Sequence, residues 1–180
     1  MEYSKDFIDK LYKGDRTAQR TLYELSSAKM YGLCLRYVGD SDIARDVLHD
    51  GYIKVFTSIK SYRGDGSFEG WFRRIIVNTA LEYLRQRKDY VDIDVANGNE
   101  AEIQSLGTDY AFYLGIVKEL PPQYRLVFNL YAIDEYTHSE IAKMLDISES
   151  TSKSNYSRAR AILRSKFEQV IDFKYAKLVR

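Results

Sequence analysis

Cysteine is almost missing from this chain. Cys34 stands alone, so no internal disulfide can form, and its apolar surroundings mark it as a small buried residue. Proline is equally scarce. The only two are adjacent, Pro121 and Pro122, which leaves long stretches free to form uninterrupted helix. The two histidines, His49 and His138, are isolated and lack any ligand-spaced partners, so no metal site is expected. The glycines do not gather into a phosphate-cradling loop, and no nucleophile sits beside a base. These absences argue against an enzyme and against a cofactor. No apolar run approaches the roughly 18 residues of a membrane span. Residues Met1 to Lys13 are charged and lack the apolar core of a secretory signal. A cytoplasmic, reducing location is the expectation.

Net charge is also close to absent, at +1, but the total conceals an uneven distribution. Asp89, Asp92, Asp94, Glu100 and Glu102 share a stretch without Lys or Arg. Residues 85–88 and the C-terminal segment are basic. Local fields decide whether a protein meets nucleic acid, so near-neutrality overall does not exclude it.

What is present reads as helix almost throughout. Phe7, Ile8, Leu11 and Tyr12 make a short stripe that ends near Gly14. Leu22, Leu25, Met30, Leu33 and Tyr37 belong to a longer helix that stops at Gly39. Ser41 is placed to cap a third, whose apolar positions are Ile43, Val47, Ile53, Phe56 and Ile59. Residues 61–67, with Gly64 and Gly66, form a loop by composition. Ser67 then caps a helix carrying Phe68, Trp71, Phe72, Ile75, Ile76 and Leu84. The acidic segment 91–108 has no clear period and is expected to be a flexible linker. A second helical unit starts near Asp109. The proline pair breaks it, and residues 125–132 form its next helix.

The segment 137–166 carries the sharpest signal. Thr137 and Glu140 have the spacing of a capping box, and Ile141, Ala142, Met144 and Leu145 supply a buried stripe. Asp146-Ile147 suits a turn and Ser148 a new cap. The helix that follows presents Lys153, Arg158, Arg160, Arg164 and Lys166 and no acid between Ser150 and Phe167. Two short helices joined by so tight a turn fit a helix-turn-helix, whose second helix matches the major groove in width. A basic face alone fits a solvated surface as well as DNA. His138, inside the capping box, reads as a surface residue. Tyr156, Ala159 and Leu163 read as the buried side.

Three blocks, in this order, resemble a known family. They are residues 42–56 (DIARDVLHDGYIKVF), residues 61–80 (SYRGDGSFEGWFRRIIVNTA), and the stretch from Leu120-Pro121 through Tyr136-Thr137-His138-Ser139-Glu140-Ile141-Ala142 to Ser157-Arg158-Ala159-Arg160. Over nearly its full length the chain resembles the bacterial RNA polymerase sigma factors of the sigma-70 family, in the small extracytoplasmic-function (ECF) group. The resemblance implies an all-α fold of two small domains. Residues 1–90 would be a region 2-like bundle for core polymerase and the minus-ten element, 91–108 the acidic linker, and 109–180 a region 4-like helix-turn-helix for the minus-thirty-five element.

The family's roles fall on matching positions. Asp46, His49 and Asp50 would dock on the clamp helices of the largest polymerase subunit. His49 and Asp50 stand where Gln and Glu are commoner. Tyr62, Arg63, Gly64 and Asp65 would border a base flipped from the minus-ten element, with Tyr62 as the DNA-facing ring and Trp71 in the core. Asn78 would offer its amide there, and Arg73, Arg74, Arg85 and Arg87 would contact phosphates. In the recognition helix the matching residues are Thr151, Lys153, Ser154, Asn155, Ser157 and Arg158. Arg158 suits either a bidentate guanine contact or a phosphate clamp. The implied partners are core polymerase, promoter DNA and an anti-sigma factor, often membrane-bound in the family. The rival reading is a stand-alone helix-turn-helix regulator.

Overall fold

The computed structural model describes residues 3–86, 115–117 and 119–178, with side chains as far as residue 168. The acidic linker 91–108, Arg87 and the helix start expected near Asp109 lie outside the described residues. All regular structure among the described residues is helical. The chain divides into two compact units, Met1–Leu106 and Gly107–Arg180.

Among its described residues the first unit has four α-helices, α1 (Lys5–Tyr12), α2 (Arg16–Val38), α3 (Ser41–Ser58) and α4 (Phe68–Gln86), and a 3-10 turn (Ile59–Ser61). Their ends follow from side-chain caps. Ser4 accepts from the Phe7 amide and Asp15 from Ala18. Gly39 closes α2 in the left-handed conformation, at φ 74°, which costs glycine nothing. Asp40, not Ser41, caps α3, accepting from the Asp42 and Ile43 amides at 2.9 Å. Either side chain can cap a helix, and here the carboxylate stands first in the chain. Ser67 does cap α4, accepting from Gly70 at 3.0 Å.

α2, α3 and α4 pack on one another, and α1 on α2. Leu22, Met30, Val47, Val55, Phe72, Ile76 and Leu81 form the center of this core. Gly51 lets α3 and α4 approach closely, since a Cβ there would collide with the Ile76 Cδ1 methyl. A polar contact crosses the core, where the Ser26 hydroxyl meets the Tyr52 hydroxyl at 2.7 Å. Burial raises the Tyr52 phenol above its ordinary pKa of 10.0, so it stays neutral. Cys34 is fully buried, and loss of hydration pushes its thiol up to about 12.

Two stripe positions differ from expectation. Leu25 is 52% exposed and Ile53 60% exposed. On α3 the inward ridge runs through Val47, Leu48, Gly51, Tyr52 and Val55, and Ile53 lies roughly 200° around the helix from Gly51. Apolar identity put it in the core; the helical angle takes it out.

The second unit contains α5 (Pro122–Phe128), a π-helical turn (Asn129–Ile133), α6 (His138–Leu145) and α7 (Glu149–Leu178). Pro122 opens α5, where its missing N–H is harmless. The helix expected over 125–132 thus changes character at Asn129, whose side chain is fully buried. Ile116, Val117 and Leu120 pack against Ala159 and Leu163 of α7, with Tyr124, Phe128 and Ile162 at the margin.

Candidate nucleic-acid interface

The second unit forms the helix-turn-helix that its spacing predicts. Thr137 accepts from the Glu140 amide at 3.3 Å, and the Glu140 carboxylate accepts from the Thr137 amide at 2.9 Å, completing the capping box. Asp146 ends α6 at φ 53°, ψ 49°. The turn therefore demands the left-handed region, which Asp tolerates better than most residues. The Ser148 hydroxyl then accepts from the Thr151 amide at 3.0 Å and starts α7.

Every buried position in the described side chains of α7 lies on one stripe: Ser152, Asn155, Ala159 and Leu163. Asn155 is 4% exposed and belongs to this inner stripe, so its placement on the DNA-facing side is corrected. Spacing explains it, because Ser152, Asn155 and Ala159 follow at intervals of three and four. Lys153, Ser154, Ser157 and Arg158 are exposed, and Thr151 is half-buried. Lys153 pairs with Glu149 at 2.6 Å. The Arg158 guanidinium lies 5.9 Å from the Tyr124 ring centroid and donates to its hydroxyl at 3.2 Å. The ring fixes the azimuth of that cation while leaving it open to solvent.

An aromatic cluster beneath this helix was not anticipated. His138 stacks on Tyr131, with centroids 4.1 Å apart and planes 10° apart, and its Nδ1 meets the buried Ser152 hydroxyl at 2.9 Å. Tyr156 packs against Tyr131 and Phe128, half-buried rather than buried. His138 is thus a tie between α6 and α7, not a plain surface residue. Its signal was aromatic recurrence at 128, 131 and 156, which spacing in sequence does not connect. Desolvation, helped by Lys153, lowers the His138 pKa below 6.5. The neutral ring is therefore favoured in the fold. Its stabilising effect is complete above pH 6.5 and is lost as pH falls through the depressed folded value. Thermal midpoints from pH 8 to pH 5 are expected to fall more steeply for the parent protein than for His138→Gln. Parallel profiles would refute the role.

In the first unit, the residues matched to the minus-ten element occupy the 62–67 loop and α4. Arg63, Gly64 and Asp65 are exposed, and Gly64 and Gly66 have φ of 83° and 99°. Arg74, Asn78 and Arg85 recur at intervals of four and seven and so share a stripe of α4, with Arg73 beside it. Arg74 and Arg85 are exposed; Arg73 and Asn78 are half-buried. Tyr62 differs from expectation. It is only half-exposed, set edge-on to buried Phe68 at 5.4 Å and tilted against Trp71 at 5.6 Å. Trp71 is half-buried rather than central.

A third surface lies on α3. Asp46, His49 and Asp50 are all exposed, and Ile53 continues the same face. Beside it runs a groove of about 390 Å³ lined by Tyr23, Ser27 and Tyr31 of α2 and Arg45, Leu48 and His49 of α3. Acid flanking an exposed aliphatic chain is suited to a protein partner that is basic with an apolar center. Among the described residues no helix is long and apolar enough to cross a membrane, and no group of three potential metal ligands occurs.

Known proteins share this organisation. Residues 22–90 match Sigma-70 region 2, and residues 113–163 match Sigma-70, region 4. The ECF RNA polymerase sigma factor SigW of Bacillus subtilis is 28% identical over 183 residues, covering 92% of this chain and 97% of that protein. The ECF RNA polymerase sigma-E factor of Escherichia coli K12 is 28% identical over 180 residues, covering 91% and 94%. Among solved structures, CnrH in complex with the cytosolic domain of CnrY aligns with a TM-score of 0.54 at 20% identity, covering 91% of this chain and 96% of that one. The sigma factor RpoE in complex with the anti-sigma factor NepR, from Bartonella quintana, aligns with a TM-score of 0.53 at 16% identity, covering 83% and 96%. These two structural likenesses bear on the fold.

Proposed function

The chain belongs to the sigma-70 family of RNA polymerase initiation factors, in its ECF group, and from that premise we propose how its two units divide promoter-specific initiation. The first unit binds core polymerase through Asp46, His49 and Asp50 of α3. Its 62–67 loop receives an unstacked minus-ten base. Asn78 hydrogen-bonds that base or its neighbour, and Arg73, Arg74 and Arg85 follow the phosphates. The second unit lays α7 in the major groove at the minus-thirty-five element, with Lys153, Ser154, Ser157 and Arg158 toward DNA and Thr151 at the edge.

The observation that carries this reading is the co-occurrence, in one chain, of an open loop with two positive-φ glycines and a capped helix-turn-helix. A stand-alone regulator would use the second unit and have no need of the first. Melting then requires no catalytic group. Bases captured on protein offset the stacking and pairing they lose, a few kcal/mol per base. The factor acts as a binder in the cytoplasm, where polymerase and promoter meet. A structural neighbour is in complex with an anti-sigma factor, and this reading gives the chain a partner of the same kind.

Reconstitution with sigma-free core polymerase and a promoter library tests the proposal. Specific initiation that depends on both partners is expected; specific duplex binding without core would favour the regulator. Within that assay, Arg158→Ala is expected to weaken minus-thirty-five recognition by roughly 1–3 kcal/mol if the guanidinium reads a base. Selectivity identical to the parent protein would remove Arg158 from the interface.

A further inference from the structure

We propose that Tyr12 and Tyr62 are positioning residues that hold the 62–67 loop in its base-receiving shape, so that α1 acts as a brace for minus-ten recognition. This rests on the reading of that loop as the base pocket. Tyr62 is fixed at every polar atom. Its amide donates to the Ile59 carbonyl at 3.1 Å. Its own carbonyl accepts from the Tyr12 hydroxyl, which arrives from the end of α1. Its hydroxyl donates to the Gly66 carbonyl at 2.8 Å, reaching across the loop it opens. The ring is held edge-on by Phe68, itself 4% exposed, and leans on Trp71.

The effect is a closed ring of backbone and side chain. Arg63, Gly64 and Asp65 protrude from it, exposed, while both ends are tied down. A pocket that must seize a base as it leaves the stack gains from such preorganisation, because less loop freedom remains to be lost on capture. The geometry gives Tyr62 a different task from stacking on DNA: its hydroxyl and carbonyl are committed inward. Tyr12 extends the tie to α1, which is anchored by buried Leu11 and capped by Ser4. A helix that touches no assigned DNA contact thereby sets the shape of the loop that does.

The test uses full-length protein in holoenzyme with core polymerase. The probe is fluorescent single-stranded DNA carrying the minus-ten strand of a promoter selected from a random library by the parent protein. Tyr12→Phe and Tyr62→Phe each remove one hydroxyl and keep the ring. Each is expected to weaken capture about fivefold, the equivalent of one net hydrogen bond, and to flatten preference among the four bases at the captured position. The double variant should fall short of the product of the two, since both act on one loop. Affinity for core polymerase should not move. Gly66→Ala gives an independent perturbation: nothing lies within 4 Å of the added Cβ, so it strains only a backbone at φ 99°. It should also flatten base preference.

Arg63→Ala and Asp65→Ala separate the two levels of the argument. If these weaken capture while the Tyr variants and Gly66→Ala keep full base preference, the brace is refuted and the pocket stands. If none of the five alters capture, the pocket reading fails and the brace with it. A lowered thermal midpoint with unchanged base preference would reduce both tyrosines to packing and refute the proposal.

Discussion

Reversing both Asp46 and Asp50 to Lys is expected to lower affinity for core polymerase at least a hundredfold while leaving the first unit folded. Both side chains are exposed on α3 and neither supports the core, so the cost to stability stays within about 0.5 kcal/mol. At the interface the balance is different. Placing like charges face to face costs several kcal/mol, and about 2.8 kcal/mol is a hundredfold in affinity. The loss should shrink at high salt, where exposed charges are screened within a few ångströms. Competition against a labelled parent factor for core polymerase, run at low and high salt, measures it. Equal competition at every ionic strength would take α3 out of the polymerase contact. Ile53, exposed beside the two acids, sits where the apolar center of such an interface belongs.

Replacing Phe72 with Ala is expected to cost about 3–5 kcal/mol, entirely within the first unit. Phe72 has no exposed surface, lies 5.4 Å from the Tyr52 ring and 6.4 Å from Phe68, and joins α4 to α3. Truncation leaves a void beside the buried Ser26–Tyr52 hydroxyl pair, where relaxation is constrained by a bond that must be kept. For a domain of this size the midpoint should fall by roughly 12–40 °C. The second unit has its own core around Ile116, Val117, Leu120 and Leu163, so its transition should remain in place. Differential scanning calorimetry would show one transition moving and one fixed. A single transition that shifts as a whole would contradict the independence of the two units.

The helices, their caps and the turn at Asp146 were legible because they depend on neighbours in sequence. A capping box spans four residues, and a glycine stop is one residue. The ends of α2 and α6 were therefore readable in advance, and the cap of α3 was missed by only one position. What was not legible depended on angle or on distant contact. Leu25 and Ile53 are apolar and near the helical stripe, but a few tens of degrees decide which side of a helix faces water. Asn155 came from the resemblance as a recognition-helix position, and the inward run of Ser152, Asn155 and Ala159 buries it. Tyr62 looked free because its partners, Tyr12 and Gly66, lie fifty residues back in the chain and across a loop. The π turn at Asn129 left no mark on the apolar period. Among the proposed contacts, Arg63, Asp65, Arg74, Ser157 and Arg158 lie on open surface, while Asn155 does not.

Cys34 has a consequence for how signals reach this factor. Oxidants and metals attack thiolate, and a thiol sealed inside α2 with its ionisation pushed up to about 12 offers almost none at neutral pH. The single thiol of this chain is therefore poorly placed to react with peroxide or to follow a change in redox poise. A stress signal carried by thiol chemistry would be read on another molecule's cysteine and would reach this factor as a change in what binds it.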